Sequence, residues 1–372
     1  MSQKVLIVGG LGYLGSTLAP FLRQKGLDTT IMDAGFFADC RIDKKPCEDY
    51  IEKDARDIEA EDLKPYDVIV QFAGISNDPV GGLSQETVYD PTRQYAKDIA
   101  QICKKLGKKF IFASSCSGYG IGGNETLDET SVCRPQTPYS LNKMQIEEDL
   151  VTLADGTFAP VALRFATVFG YSPRLRLDVF ANMMCAMAVS QGDITLNSDG
   201  QAWRPSLHIL DLCEAVYRTV LHKGTPGQLL VLNVGQESLN HQILDVANTI
   251  ASCKAGATVS FLHQKDAGSQ SEVIKDRKIK DGKDTRTYKV SFEKIRKVFP
   301  GFICQYSLKD GVQDLINKLE DLNFDQQEFE NINYYRLQKF ESLWDQGLIT
   351  GDMAWKVVPV KGAQPPVQSN RA

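Results

Sequence analysis

Short, continuously apolar runs alternate with longer stretches of helical period through the first half of the chain. KVLIVGG, rich in β-branched residues, passes directly into GGLGYLGSTLAPFLRQKG, whose apolar positions recur with helical spacing and stop at Gly26. DTTIMD reads as a second strand, and YDVIVQF and KKFIFASS as two more. Runs that are apolar at every position suit a sheet buried on both faces. Helical stretches separate them, notably 94–105, and FAPVALRFATVFG supplies a further strand after a helix that starts near Tyr139. Strand and helix alternating at this spacing predict an α/β fold: a doubly wound parallel sheet with right-handed crossovers.

Beyond about residue 168 the rhythm loosens. A Pro- and Arg-rich loop, GYSPRLRLD, precedes a helix through VFANMMCAMAVS and a short strand pair around ITLNSDGQAWRPSLHIL. Helices are expected near 212–222 and 240–252, with the strand LLVLNVG between them. The division that follows is a first domain over 1–168, with segments returned to it from about 205–238. A smaller α/β substrate-binding domain occupies most of 169–360, and KGAQPPVQSNRA at 361–372 reads as a disordered tail.

Composition narrows the functions open to this fold. The 372 residues can bury a large core, and a net charge of -5 without a basic stripe disfavours nucleic acid as a partner. No apolar run approaches the roughly 20 residues of a membrane span. The N-terminus enters a glycine motif too early for a signal peptide, so a cytoplasmic protein is expected. Nine cysteines, scattered without a C-x-x-C pair, read as reduced thiols, and four histidines without ligand spacing argue against a metal centre.

The loop Gly9-Gly-Leu-Gly12-Tyr-Leu-Gly15 stands between the first strand and a helix. Glycines let the backbone turn tightly and approach a pyrophosphate, while the helix start offers free N–H groups. Asp33 ends the second strand roughly 20 residues on, where a carboxylate can accept from an adenosine ribose hydroxyl and would repel a 2′-phosphate. With no Arg after it until Arg41, NAD is favoured over NADP. Asp54, in EKDARD, is placed to meet the adenine amino group.

Tyr139-x-x-x-Lys143, in PQTPYSLNK, sets a phenol beside an ammonium on one helix face. Tyr335 and Lys339 repeat the spacing, but their segment follows no strand. The Tyr139 pair follows FASSCSGYG, where Ser114 or Ser115 closes a strand at the edge where open α/β sheets bind ligands.

These motifs, with LRFATVFG at 163–170 and WRPSLHILD at 203–211, resemble the extended short-chain dehydrogenase/reductase family in its nucleotide-sugar epimerase and dehydratase branch. The likeness covers about 3–315 and implies a Rossmann fold, bound NAD and a nucleotide-diphosphate sugar as substrate. It assigns Tyr139 as the general base, Lys143 to the phenol and the nicotinamide ribose, and Ser115 to the reacting oxygen. Tyr13, Leu14 and Ala73 join the cofactor site. Thr167 joins the substrate site, with Asn182 and Arg204 on the diphosphate and Arg286 in DTRTYKV as a second clamp. Trp203 is read as core. A homodimer through the helices at 94–105 and 139–153 is implied.

Dehydratases of this branch carry Asp-Glu, and decarboxylases Glu, just after the residue matching Ser115; here Cys116 and Ser117 stand there. Loss of water or of carboxylate is therefore disfavoured. An epimerase acting through a transient keto-sugar is preferred, with an NAD(P)H-dependent keto-sugar reductase or dehydrogenase as the alternative. A non-catalytic dinucleotide sensor stays in view as a less favoured reading, because Ser115, Tyr139 and Lys143 are all present. Two positions depart from the epimerase pattern: Thr167 and Pro91 stand where Asn is frequent, which leaves room for an unusual sugar. The segment 322–355 has no counterpart in the smallest members and is read as a lid or a subunit contact.

Overall fold

The computed structural model describes residues 2–75, 88–224, 227–262 and 286–356. The expected tail at 361–372 lies outside them. Seven strands form one parallel sheet: β1 (Lys4–Val8), β2 (Asp28–Asp33), β3 (Ile51–Glu52), β4 (Val68–Gln71), β5 (Lys109–Ser115), β7 (Val161–Phe165) and β11 (Leu230–Val234). Across the sheet they stand in the order β11-β7-β5-β4-β1-β2-β3. The order reverses at β1, which pairs with β2 on one side and β4 on the other. Chain reversal on either side of β1 opens a crevice at its C-terminal end.

The continuous apolar runs follow from helices on both faces. Val5 and Ile7 of β1 pack with Leu18 and Leu22 of α1 (Gly15–Gln24) and with Leu212 and Val216 of α6 (Ile209–Leu221). Leu6 and Val8 point the other way, toward Leu63 of α2 (Ala60–Leu63), Ile99 of α3 (Asp90–Leu106) and Ile146 of α4 (Pro138–Leu153). Alternate residues thus enter different cores, and neither face can be polar.

A second apolar cluster gathers α5 (Phe180–Ser190), α7 (Ile243–Cys253) and the helix Leu308–Asp321. The two strands expected around 194–210 form but do not pair with each other. Instead β9 (Asp193–Leu196) runs parallel to β13 (Thr258–Phe261), while β10 (Trp203–His208) pairs with β8 (Thr167–Phe169) and with β12 (Asn240–Gln242). The residues between β9 and β10 include a left-handed Gly200, against which Leu244 of α7 packs. Helix α7 accordingly begins at Ile243, after the short β12. A last pair, β6 (Ile121–Leu127) with β14 (Thr287–Val290), is also parallel.

Helix α4 starts at Pro138, capped by a reciprocal pair of hydrogen bonds between Thr137 and Ser140. Its apolar contacts with the sheet are non-directional, whereas one buried ion pair fixes its register. Arg164 of β7 grips Glu147 of α4 through two nitrogens, the Nη2–Oε2 distance being 2.6 Å, and both side chains are less than a tenth exposed. Ser114 of β5 donates to the same carboxylate at 2.5 Å, and the Arg164 Nη1 donates to the Tyr119 hydroxyl at 3.0 Å. Replacing Glu147 by Ala strands a buried guanidinium, so Glu147→Ala is expected to lower the unfolding free energy by about 3–5 kcal/mol in urea titration. The pair replacement Glu147→Leu with Arg164→Met should cost less than the single change.

Candidate active site

A cavity of about 1660 Å³ opens at the C-terminal edge of the sheet, where β1, β2, β4 and β5 end. Gly9, Gly12, Tyr13, Leu14 and Gly15 line one end with Asp33. Ser115, Tyr139 and Lys143 line it as well, and so do Thr167, Arg204 and Arg286. The structure therefore brings two sets of expected residues, those for a dinucleotide and those for a sugar, to one space.

The glycine loop divides by what its positions face. A Cβ on Gly9, whose φ is +84°, would lie 2.3 Å from the Ala73 nitrogen, and one on Gly15 would lie 2.4 Å from the Gly10 Cα. Those two are required by the chain's own packing. A Cβ on Gly12 would meet nothing closer than the Gly9 oxygen at 3.5 Å and would enter the cavity. The bare backbone at Gly12 thus leaves a cradle that fits a phosphate.

Asp33 closes β2 with its Oδ2 accepting from Leu11 N–H at 3.0 Å and its Oδ1 from Gly35 N–H at 2.9 Å. Burial raises its carboxyl pKa while those two N–H groups oppose the rise. Each oxygen keeps a lone pair for a ribose hydroxyl. Asp54 also lines the cavity, but Arg56 engages both its oxygens, at 3.0 and 2.6 Å. The position expected to meet an adenine amino group is thus shared with a guanidinium. Ala73 follows β4, donates its N–H to the Val8 oxygen at 2.7 Å and forms wall.

Of the two serines that end β5, Ser114 turns to Glu147, and Ser115 keeps its hydroxyl at the cavity, accepting from Ser117 N–H at 3.1 Å. Lys143 is buried and donates to the Ala113 oxygen at 2.8 Å. Its ammonium lies 5.6 Å from the centre of the Tyr139 ring and 4.6 Å from that of Phe112. Desolvation, aided by the charge of Arg336, brings the Lys143 pKa down to about 7. Cys116 turns its thiol to the Arg164 oxygen at 3.2 Å, and burial holds that thiol far above the ordinary range. Neither it nor the Ser117 hydroxyl on the cavity wall is an acid for elimination.

Asn182 is not on the cavity wall. It is fully buried, accepting from Gly170 N–H at 2.9 Å and donating to the Tyr13 hydroxyl and the Arg176 oxygen. Its amide is spent on bracing the loop 170–176 against Tyr13, which itself donates to the Gly170 oxygen at 2.9 Å. Arg204, buried on β10, reaches the backbone oxygens of Trp203 and Arg286 and covers the Tyr288 ring at 5.5 Å. Trp203, expected in the core, is half-buried, with the Lys289 ammonium 5.3 Å from its ring.

The repeated spacing at Tyr335 and Lys339 makes no second phenol–ammonium site. The Tyr335 hydroxyl donates to the Phe329 oxygen at 2.7 Å, and Lys339 pairs with Asp39 at 2.8 Å. Arg336 between them nevertheless reaches the cavity wall, as does Arg176, which holds Asp178 at 2.7 Å. Neither had been singled out from the sequence. Alternation in PRLRLD was a signal for Arg176, whereas nothing local marks Arg336. All nine cysteines are unpaired. Among the described residues no His, Cys, Asp and Glu cluster suits a metal, and no helix is long and apolar enough to cross a membrane.

The sequence pattern of the NAD dependent epimerase/dehydratase family matches residues 5–235. A UDP-glucose 4-epimerase of Streptococcus mutans serotype c is 25% identical over 286 residues, spanning 68% of this chain and 84% of the relative. An NAD dependent NDP-hexosamine 5,6-dehydratase of tunicamycin biosynthesis superposes with a TM-score of 0.70 at 19% identity, covering 86% of this chain and 99% of its own. The UDP-glucose 4-epimerase of Thermus thermophilus, solved with NAD, gives 0.66 at 20% identity with the same coverage, 86% and 99%. At these identities the superpositions speak for the fold, and the pattern over 5–235 speaks for the family. The chain belongs to the NAD dependent epimerase/dehydratase family.

Proposed function

We propose that the protein is an NAD-dependent epimerase of a nucleotide-diphosphate sugar. The observation that carries this reading is the convergence of Ser115, Tyr139 and Lys143 on the cavity that also holds the glycine cradle and Asp33. Gly9, Gly12, Gly15 and Asp33 would hold NAD, which would supply the hydride acceptor for oxidation of the sugar carbon and the hydride donor for its reduction.

The chain's residues then divide the remaining work. Tyr139 takes the proton of the sugar hydroxyl on its phenolic oxygen, and Lys143, when charged, favours the phenolate across the 5.6 Å between ammonium and ring. The Ser115 hydroxyl hydrogen-bonds the reacting oxygen. Arg204 and Arg286 bind the diphosphate, their guanidinium forks matching its oxygens. Thr167 and Pro91 line the same cavity and shape the sugar end. Epimerisation is favoured over dehydration because Cys116 and Ser117 provide no carboxyl beside Ser115. The homodimer through α3 and α4 remains part of this reading; α4 leaves Leu141 and Val151 exposed.

Protein purified without added cofactor and then denatured should release about one NAD per chain, identified by mass, and should interconvert a sugar nucleotide with no redox reagent added. A protein that arrives empty and consumes NADH or NADPH stoichiometrically would instead be a keto-sugar reductase. Tyr139→Phe should retain the NAD and lose activity by a factor of ~10² or more; full activity in that variant rejects the mechanism.

Gly12→Ala should fold with unfolding free energy within about 0.5 kcal/mol of the parent yet bind NAD at least ~10-fold more weakly. Gly15→Ala, which clashes with Gly10, should lose ~1–3 kcal/mol of stability.

The lowered pKa of Lys143 carries a sign. Between about 7 and its ordinary 10.5 the unfolded chain holds a proton there that the folded chain lacks, so this contribution to stability rises with pH across that window. Below about 7 the cost of the buried charge is complete. Cofactor-free Lys143→Met should therefore exceed the parent's stability at pH 6 by ~1 kcal/mol or more, with a smaller gap at pH 9, in paired thermal melts.

A further inference from the structure

The last described residues form a turn at one end of the cavity, outside residues 5–235 that match the family pattern. Ile349 and Trp355 make an antiparallel bridge. Inside it Thr350 N–H donates to the Ala354 oxygen at 2.8 Å, Met353 N–H to the Thr350 oxygen at 2.9 Å, and Ala354 N–H to the Thr350 hydroxyl at 2.9 Å. These bonds hold Met353 in the left-handed region, at φ +60°. A side chain other than glycine's is seldom kept there, and it persists only where the surroundings over-determine the turn. Met353 is 3% exposed, in an apolar cluster with Phe340, Leu343 and Ile349.

Two sets of hydrogen bonds fix where the turn sits. Arg56, in the loop after β3, donates to the backbone oxygens of Asp352 and Met353 at 3.0 and 3.2 Å and to the Asp352 carboxylate at 3.2 Å, while it also engages Asp54. The Trp355 indole donates to the oxygen of Ala34, the residue after Asp33, at 2.6 Å and stacks on Phe36 with ring centres 4.9 Å apart. The turn thus bridges the ends of β2 and β3, where Asp33 pairs with Glu52. Ala34, Phe36, Asp54, Arg56, Asp352 and Met353 all line the cavity. Ser115 ends β5, which stands three strands from β2 in the order β5-β4-β1-β2. Neighbouring strands lie about 4.8 Å apart, so the turn is anchored roughly 14 Å across the sheet from Ser115.

We propose that the turn Ile349–Trp355 is the outer wall of the adenosine pocket: it covers the adenine of the bound dinucleotide, with Met353 on the apolar side of the base, and slows exchange of the cofactor. A dinucleotide laid from Tyr139 to Asp33 carries its adenine past Asp33 toward β3, and the turn sits there. Adenine is flat and uncharged, with hydrogen-bonding groups at its rim. Met353 and Phe36 offer its faces apolar, polarisable surface, and a thioether adapts to the surface of a ring. Asp54 and Arg56 offer its rim polar groups. Arg56 also couples the two parts of the pocket, because the guanidinium that holds Asp54 holds the turn as well. This inference rests on the reading of the cavity as an NAD site.

Hydrogen exchange of the full-length protein, freed of cofactor and followed by mass spectrometry, tests the position with two half-ligands. With ADP-ribose at about ten times its Kd, the peptide carrying the Met353, Ala354 and Lys356 amides should exchange about 10-fold more slowly, by mass action on the covered form. Nicotinamide mononucleotide, at the same multiple of its own Kd, should leave that peptide within about twofold of the unliganded rate. A second measurement loads the protein with NAD and chases it with isotopically labelled NAD. Trp355→Leu, which removes the indole bond and the stack, should release NAD about 10-fold faster than the parent. Met353→Gly, which takes the left-handed turn without strain and removes the side chain from the wall, should release it faster as well.

Bound ADP-ribose that gives the peptide no protection overturns the proposal, and so does equal protection by the two half-ligands; either result leaves the epimerase reading intact. Release at the parent's rate in Met353→Gly overturns it too, even where Trp355→Leu fails to fold. A parent that binds neither half-ligand nor NAD rejects the cofactor site, and this inference with it.

Discussion

The buried pair Glu147–Arg164 is the constraint on which the site depends. Tyr139 and Lys143 ride on α4, and Ser115 ends β5; they can address one carbon atom only if the helix keeps a single register against the strand. Apolar contacts between α4 and the sheet give cohesion but tolerate sliding, because hydrophobic attraction has no direction. A bidentate guanidinium–carboxylate contact has direction, and here it joins β7 to α4 while Ser114 ties β5 to the same carboxylate. The Lys143 bond to the Ala113 oxygen adds a second tie one turn from Tyr139. Such a buried pair need not stabilise the fold relative to an apolar one. Its use here is positional.

Two cations on the cavity wall are held out of water. Lys143 and Arg336 are both desolvated, and both lose proton affinity as a result. A protein selected for stability alone would place apolar side chains at these positions. Their burial fits a site completed by an anionic ligand, where the same charges become attractive and the low dielectric strengthens them. The tension between stability and binding is the usual mark of a functional site.

Several of the residues that meet at the cavity were legible because what places them there is local. Gly9, Gly12 and Gly15 occupy a turn between a strand and a helix, and the tight approaches at Gly9 and Gly15 follow from that turn. Asp33 ends the strand that follows the loop's helix, and Tyr139 and Lys143 are neighbours by helical spacing alone. Asn182 illustrates the opposite case. Its identity suits a phosphate ligand, yet whether an amide faces a cavity or a neighbouring loop depends on the packing of α5 against residues 170–176, which no local pattern encodes. The pairing of β9 with β13 across some sixty residues escaped for the same reason, since strand spacing in sequence says nothing of a third strand arriving later.

The sequence by itself determined the doubly wound parallel sheet, the glycine cradle and the phenol–ammonium helix, because strand burial, turn sterics and helical period act over a few residues. Only the tertiary structure decided that Ser115 and not Ser114 faces the cavity, since a serine's direction at a strand end is set by what packs on either face. It also decided that 326–356 is a wall of the site, and that Arg336 enters a cavity whose other residues lie up to about three hundred positions earlier in the chain. Contacts over such separations are set by the whole fold, for the shape that makes them is assembled only when every layer has packed.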